Sequence, residues 1–452
     1  MKNLRLPKFT NEIPLAIEEE PTYGYETPWA TYAIIFLNVA VYAITSAQNF
    51  FIQSTDYWIS RLGFLPLGLL SDTTHFYRIF TAMFTHADIL HILFNMYFLY
   101  LFGRAVERTM GHTRFVIHYL ISGIFAAIIH TLFMYILSPA GLSIPSVGAS
   151  GAISGVLGAY LLLYPGTRLA ACMFFFIIPF CFELSAALWI LFWFMLQVFE
   201  GFYLAASSTV AFFAHAGGFV AGIAFLPMFI DRHRLAVLKT LASARRLFGF
   251  IIFVPMYYIK RGLNPLTKTV LLVLISMLLI GSLTPLIYTK NFTTATYTVH
   301  WNKDGSEKAY LGVLDSHIIT AGDTIDSKVL LDVLVNSGII YNPKLAGREV
   351  LGPLIQLGHM TLQLGIHSIE AKYAITAHSI VYDKSGLMRA ASLIVNIVTP
   401  QGGGTLNAKL ELARLQNATT FIELIGLATL LVIIGSMIVV AFKDEELVIT
   451  PE

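Results

Sequence analysis

The chain has 452 residues, of which 56% are apolar and 12% charged, with a formal net charge of +2. This balance lies far from the soluble average and points to a multispanning membrane protein, while so small a net charge gives no footing for nucleic-acid binding. The two cysteines, Cys172 and Cys181, both sit in apolar sequence, so no disulfide framework and no metal-ligand spacing is visible, and neither metal nor cofactor is expected.

Residues 1–27 are polar and charged and read as a cytoplasmic tail. No compact apolar core of a cleavable signal follows them, and Glu18-Glu19-Glu20 is unlike an acid-poor mitochondrial leader. Stretches near the ~20 apolar residues needed to cross a bilayer occur at about 28–46, 89–103, 114–137, 148–164, 184–204 and 209–230, giving a six-helix core over 28–231. Basic residues set the orientation. Arg104, Arg108 and Arg114 follow the second span, Arg168 the fourth, and Arg232, Arg234, Lys239, Arg245 and Arg246 the sixth, so these loops and the N-terminus are expected to be cytoplasmic.

Residues 232–268 form a basic linker whose apolar run, Leu247 to Ile259, is short for a crossing and suits a helix lying on the cytoplasmic surface. A seventh span is expected at 269–288 and an eighth at 421–442, with a cytoplasmic tail at 443–452. Between them, 289–420 is polar, strand-like and extracytoplasmic. Alternating runs such as Tyr297-Thr298-Val299-His300-Trp301 and Ser392-Leu393-Ile394-Val395, punctuated by Asp304-Gly305 and Gly402-Gly403-Gly404, predict a small β-sandwich-like domain. The sequons at Asn291 and Asn417 flank it. The expected fold class is thus an all-α polytopic core, with two further spans flanking a β-rich outer domain, in the cell membrane.

Polar residues inside spans are costly and usually face one another or water. Ser150 lies in Gly148-Ala149-Ser150-Gly151 at the outer end of the fourth span, His215 in Ala214-His215-Ala216-Gly217-Gly218 of the sixth, and His91 and Asn95 in the first turns of the second. The second, fourth and sixth spans share a direction, and at ~1.5 Å rise per residue all four side chains reach one level, within roughly 10 Å of the outer surface. His91 and Asn95 are four residues apart and share a helix face. Ser150 as nucleophile and His215 as base make a dyad. His91, Asn95 and the Ser150 N–H are oxyanion-hole candidates. No acidic third member is visible, since Asp88 sits too near the surface. Ser150, Ser154 and Gly158, Gly151 with Gly155, and Gly218 with Gly222 form small-xxx-small seams that let the two helices approach closely.

These residues resemble the rhomboid family of intramembrane serine proteases over about 28–231. The resemblance rests on Gly148-Ala149-Ser150-Gly151, on Ala214-His215 with Gly217, Gly218 and Gly222, and on His86, His91 and Asn95, followed by Leu101-Phe102-Gly103-Arg104-Ala105-Val106-Glu107 and Gly111. It implies Ser150 as nucleophile, His215 as general base, Asn95 with His91 in the oxyanion hole, and a first loop, 47–85, lying as a hairpin in the outer leaflet. Tyr77-Arg78 stands where the family's loop has Trp-Arg, and Ser154 where it often has an aromatic ring packed on the base.

The expected activity is endoproteolysis in or near transmembrane segments of membrane-protein substrates, within the lipid bilayer. One alternative is a catalytically silent relative that binds and sorts membrane proteins, though such relatives typically lack the serine or histidine kept here. A proton-coupled transporter using His91 and His215 is disfavoured, because no acidic residue lies mid-membrane in the six-helix core.

Overall fold

The computed structural model describes residues 27–175, 178–204, 210–249, 262–287, 291–301, 305–314, 317–364, 367–400 and 402–450. Helix α1 spans Trp29–Ser46, and the first loop then carries three short helices, α2 (Asp56–Leu62), α3 (Pro66–Ser71) and α4 (Tyr77–Ala82). Next come α5 (Ile89–Phe98), a π-helical turn at Leu99–Gly103, α6 (Arg104–Met110), α7 (His112–Leu137) and α8 (Ser150–Leu163). Strands β1 (Arg168–Phe175) and β2 (Ile178–Ser185) make a hairpin, with Cys172 in register with Cys181, where only a loop was expected.

Helices α9 (Ala186–Leu204), α10 (Phe212–Phe229), α11 (Arg232–Gly249) and α12 (Pro265–Ile287) lead to the outer domain. That domain comprises β3 (Phe292–Trp301), β4 (Ser306–Leu314), β5 (His317–Gly322), α13 (Ile325–Asn336), β6 (Glu349–Leu364), β7 (His367–Tyr382), β8 (Met388–Thr399) and β9 (Gly402–Asn417). The chain ends with α14 (Thr419–Phe442) and α15 (Asp444–Leu447).

Seven helices among the described residues are long and apolar enough to cross a membrane, so the chain is a polytopic helical membrane protein. The fourth expected span differs. Helix α8 has only 14 residues, ~21 Å against ~30 Å of hydrocarbon, and every residue after Ser150 is buried. A short helix enclosed by others keeps its first residue below the membrane surface without exposing backbone to lipid.

Buried polar groups fix the frame. Glu107, 1% exposed, accepts from the Ala30 and Thr31 amides at 2.9 and 2.7 Å and from the Thr31 hydroxyl at 2.6 Å. A carboxylate there answers the free first-turn amides of α1. His118 Nε2 meets the Gly222 carbonyl at 2.9 Å and ties α7 to α10. At the other end Asp444 accepts from Leu263 N at 3.1 Å and pairs with Lys268 at 3.0 Å. The tail beyond it then returns under α8, with Ile449 N donating to Leu163 O at 2.7 Å. Helix α11 buries Leu235, Leu238 and Ala242 on one side, an amphipathic pattern; most of the run Leu247 to Ile259 lies outside the described residues.

The outer domain is not the expected sandwich. It holds one antiparallel seven-stranded sheet in the order β5-β4-β3-β9-β8-β7-β6. Both faces of its β3–β5 end are buried by other partners. Ala295, Tyr297, Val299, Ala309 and Leu311 join a core with Val329, Leu330 and Leu334 of α13. Phe292, Tyr310, Leu314, Ile319 and Ala321, on the opposite face, merge with the core of the membrane helices. A helix and the first loop thus supply the layers that a second sheet would have supplied.

Docking onto the first loop is polar and close. Arg78, 1% exposed, donates to Asp323 at 2.9 Å, and Asp323 accepts from the Tyr310 hydroxyl at 3.0 Å while His75 Nε2 lies 2.6 Å from that hydroxyl. Lys308 pairs with Asp72 at 2.5 Å. Burial would raise the Asp72 carboxyl, but Lys308 and the Thr74 amide and hydroxyl outweigh it and hold it at about 2. Burial, and next the Arg78 charge, push His75 down to about 4 against the pull of Asp323. Gly312 lets β4 lie on α3, since a Cβ there would come within 2.9 Å of the Leu67 side chain.

Candidate active site

Helices α8 and α10 touch along glycines. A Cβ on Gly218 would come within 1.9 Å of the Gly151 carbonyl oxygen, and one on Gly222 within 2.1 Å of that of Gly155. This backbone contact sets His215 beside Ser150, with Nε2 and Oγ 2.8 Å apart.

The other ring nitrogen is held as well. His215 Nδ1 lies 2.7 Å from Gln197 Oε1 on α9. An amide oxygen accepts only, so Nδ1 carries the proton and Nε2 is left as acceptor for the Ser150 hydroxyl. Trp193, one turn before Gln197, sets its ring 6.1 Å from the imidazole at an interplanar angle of 34°. Ser154, where the resemblance implies an aromatic support, instead donates to the Ser150 carbonyl at 2.6 Å. Gln197 and Trp193 escaped sequence reasoning; the available signal was a polar amide in a span whose one charged residue, Glu200, lies nearer its end.

His91 and Asn95 line the same cavity as Ser150 and His215. Neither is hydrogen-bonded to Ser150 among the described contacts, and Asn95 Nδ2 donates to the His91 carbonyl at 2.8 Å, leaving its second hydrogen for the cavity. Gly148 has φ +117°, and a Cβ there would lie 2.6 Å from His91 Nε2, so only glycine admits that ring. His86 accepts from the Ala149 amide at 3.4 Å and packs edge-on against His91, ring centroids 5.1 Å apart. Ser150 opens α8, so its amide and those of Gly151 and Ala152 have no acceptor within the helix. Asp88 accepts from the His91 amide at 2.9 Å and so caps α5. Among the described residues no group of three or more His, Cys, Asp or Glu is gathered as if for a metal.

A family model described as Rhomboid domain matches residues 73–232. The chain is similar to RHOMBOID-like protein 1 of Arabidopsis thaliana, 30% identical over 159 residues, which are 30% of this chain and 39% of that one. RHOMBOID-like protein 6, mitochondrial, of the same plant is 31% identical over 182 residues, 39% of this chain and 50% of the relative. Rhomboid protease GluP of Bacillus subtilis is 44% identical over 85 residues, 19% of this chain and 15% of the relative. The chain therefore spans no more than half the length of these relatives. The matched stretch includes the helices that carry Ser150 and His215, so the chain carries a Rhomboid domain over residues 73–232.

Proposed function

We propose that the protein is an intramembrane serine endopeptidase that cleaves transmembrane substrates in the lipid bilayer of the cell membrane. The observation that carries this reading is the pair of contacts on one imidazole, Ser150 Oγ at 2.8 Å and Gln197 Oε1 at 2.7 Å. They leave a serine hydroxyl poised to donate to a base whose tautomer is already set. Ser150 Oγ attacks the scissile carbonyl as its proton passes to His215 Nε2. The oxyanion is taken by the Ser150 amide with Asn95 and His91. His215 then returns the proton to the leaving amine, and a water activated by the same nitrogen hydrolyses the acyl-enzyme. Gln197 neither gains nor loses a proton and acts by holding the ring.

Basic loops support a cytoplasmic location for both termini, with Ser150 near the extracytoplasmic face. A substrate helix must unwind there, because its carbonyls are otherwise satisfied and shielded.

The test is cleavage of a synthetic transmembrane peptide in liposomes by wild type, Ser150→Ala and His215→Ala, with fluorophosphonate labelling of Ser150 in parallel. Cleavage by wild type alone is expected. Equal cleavage by Ser150→Ala, or wild type that neither labels nor cleaves, would remove the protease reading; the latter result belongs to a silent membrane-protein binding factor.

A further inference from the structure

The cavity over Ser150 does not end at the membrane helices. It measures about 2230 Å³, and its walls run from Asn95, Ser150 and His215 to Ile318, Thr320 and Lys328 of the outer domain. Small-molecule pockets occupy roughly 300–1,000 Å³, so this space suits a length of chain better than a compact ligand. The outer domain is fixed over it, because the Arg78–Asp323 pair and the Gly312–Leu67 approach join the sheet to the first loop.

β5 is an end strand of its sheet and among the described residues pairs only with β4. Ile319 and Ala321 point into the core, whereas Ile318 is 48% exposed and lines the cavity. Beside it, α13 presents Ile325, Lys328 and Asp332, spaced by helical turns, to the same space. Their charges are internally matched. Lys328 pairs with Asp332 at 2.9 Å, and Asp332 also accepts from the Thr320 hydroxyl. The wall therefore offers an open strand edge with little net charge, which favours a partner recognised through its backbone.

We propose that the free edge of β5, with the Lys328 face of α13, is a subsite for an extended segment of the substrate on the outer-domain side of the scissile bond. The inference rests on the protease reading. Substrate unwound for attack by Ser150 emerges with unpaired N–H and C=O groups, and of the two end strands on the wall of the cavity it must leave through, β5 contributes the longer stretch, His317 to Thr320 with Gly322, against Met360 and Thr361 of β6. Six residues of β5 at ~3.3 Å each match about 20 Å of extended chain. Backbone pairing makes the subsite permissive of side-chain sequence.

Two synthetic transmembrane peptides in liposomes test this with the full-length protein, one ending at the membrane surface and one extended by eight alternating Val and Thr residues on the outer-domain side. The extension is expected to lower KM about tenfold, the effect of one or two net hydrogen bonds. N-methylation of alternate amides in the extension, in whichever of the two phases removes the pairing donors, is expected to restore the short peptide's KM. A photo-crosslinker at position 318 in Ser150→Ala should capture the extended peptide. Equal KM for all peptides, or capture of a second copy of the protein instead of the peptide, would overturn the subsite while short-peptide cleavage leaves the protease reading standing. Failure to cleave even the short peptide, with Ser150 unlabelled, would remove both.

Discussion

Gln197 Oε1 lies 2.7 Å from His215 Nδ1, on the ring edge opposite the nitrogen that faces Ser150 at 2.8 Å. Gln197 is itself buried, so replacing it by leucine would leave a ring N–H with no acceptor in apolar surroundings. An unsatisfied buried donor costs about 1–3 kcal/mol, which corresponds to a kcat lowered roughly 5- to 150-fold if it is felt at the transition state. Gln197→Leu should lower kcat with KM little changed. Gln197→Glu keeps an acceptor and adds a charge that favours the imidazolium, so activity should return with the acidic limb of its pH profile moved to higher pH. A glutamine that merely packs would leave that profile in place.

Ser150 and His215 were legible because a serine and a histidine beside glycines are conspicuous in apolar sequence, and the small-residue spacing of α8 and α10 foretold their approach. Gln197 was not legible, because a single amide within Ala186–Leu204 leaves the hydropathy of the span intact and its partner lies 18 residues away. Alternation in β3 and β8 announced strands, but not which layers cover them. That depends on α13 and on loop residues such as Arg78, whose partner Asp323 is 245 residues distant. The change from Trp-Arg to Tyr77-Arg78 gave no hint that the arginine is spent on the outer domain.

The glycine seam between α8 and α10 is the most constrained contact beneath the site. A methyl group on Gly218 would meet the Gly151 carbonyl oxygen at 1.9 Å, and backbone cannot swing aside as a side chain can. Gly218→Ala should force the helices apart at a cost of about 1–3 kcal/mol, lowering Tm and abolishing fluorophosphonate labelling of Ser150. Gly435→Ala on α14 is the matched control. Its new methyl would lie 3.6 Å from Ala224 Cβ, an ordinary contact, and labelling should persist.

Arg78 and Asp323 bind the outer domain to the first loop through a pair whose side chains are 2% and 10% exposed. Removing one partner of a buried pair leaves the other charge uncompensated, at about 3–5 kcal/mol. Arg78→Met should therefore loosen β4 from α3, read as faster hydrogen exchange in β4 and β5 while α8 and α10 stay protected. Equal protection of β4 and β5 in variant and wild type would show that the other contacts, the Lys308–Asp72 pair and the apolar packing, hold the domain without Arg78.

The same interface should weaken in acid, through His75. Its ordinary pKa near 6.5 falls to about 4 in the folded protein, because burial and Arg78 disfavour the imidazolium. Above pH 6.5 the ring is neutral whether folded or unfolded, and the interface keeps its full stability. As pH falls from 6.5 towards 4 the unfolded chain takes up a proton that the folded one refuses, so stability declines by a total of roughly 3 kcal/mol. Asp72, held at about 2, adds its own loss only below about pH 4, as protonation breaks its pairing with Lys308. His75→Gln keeps a donor for the Tyr310 hydroxyl and has nothing to titrate, so its Tm should fall less steeply than that of wild type between pH 6.5 and 4.5. Parallel Tm curves for the two proteins over that interval would assign the acid loss to other groups.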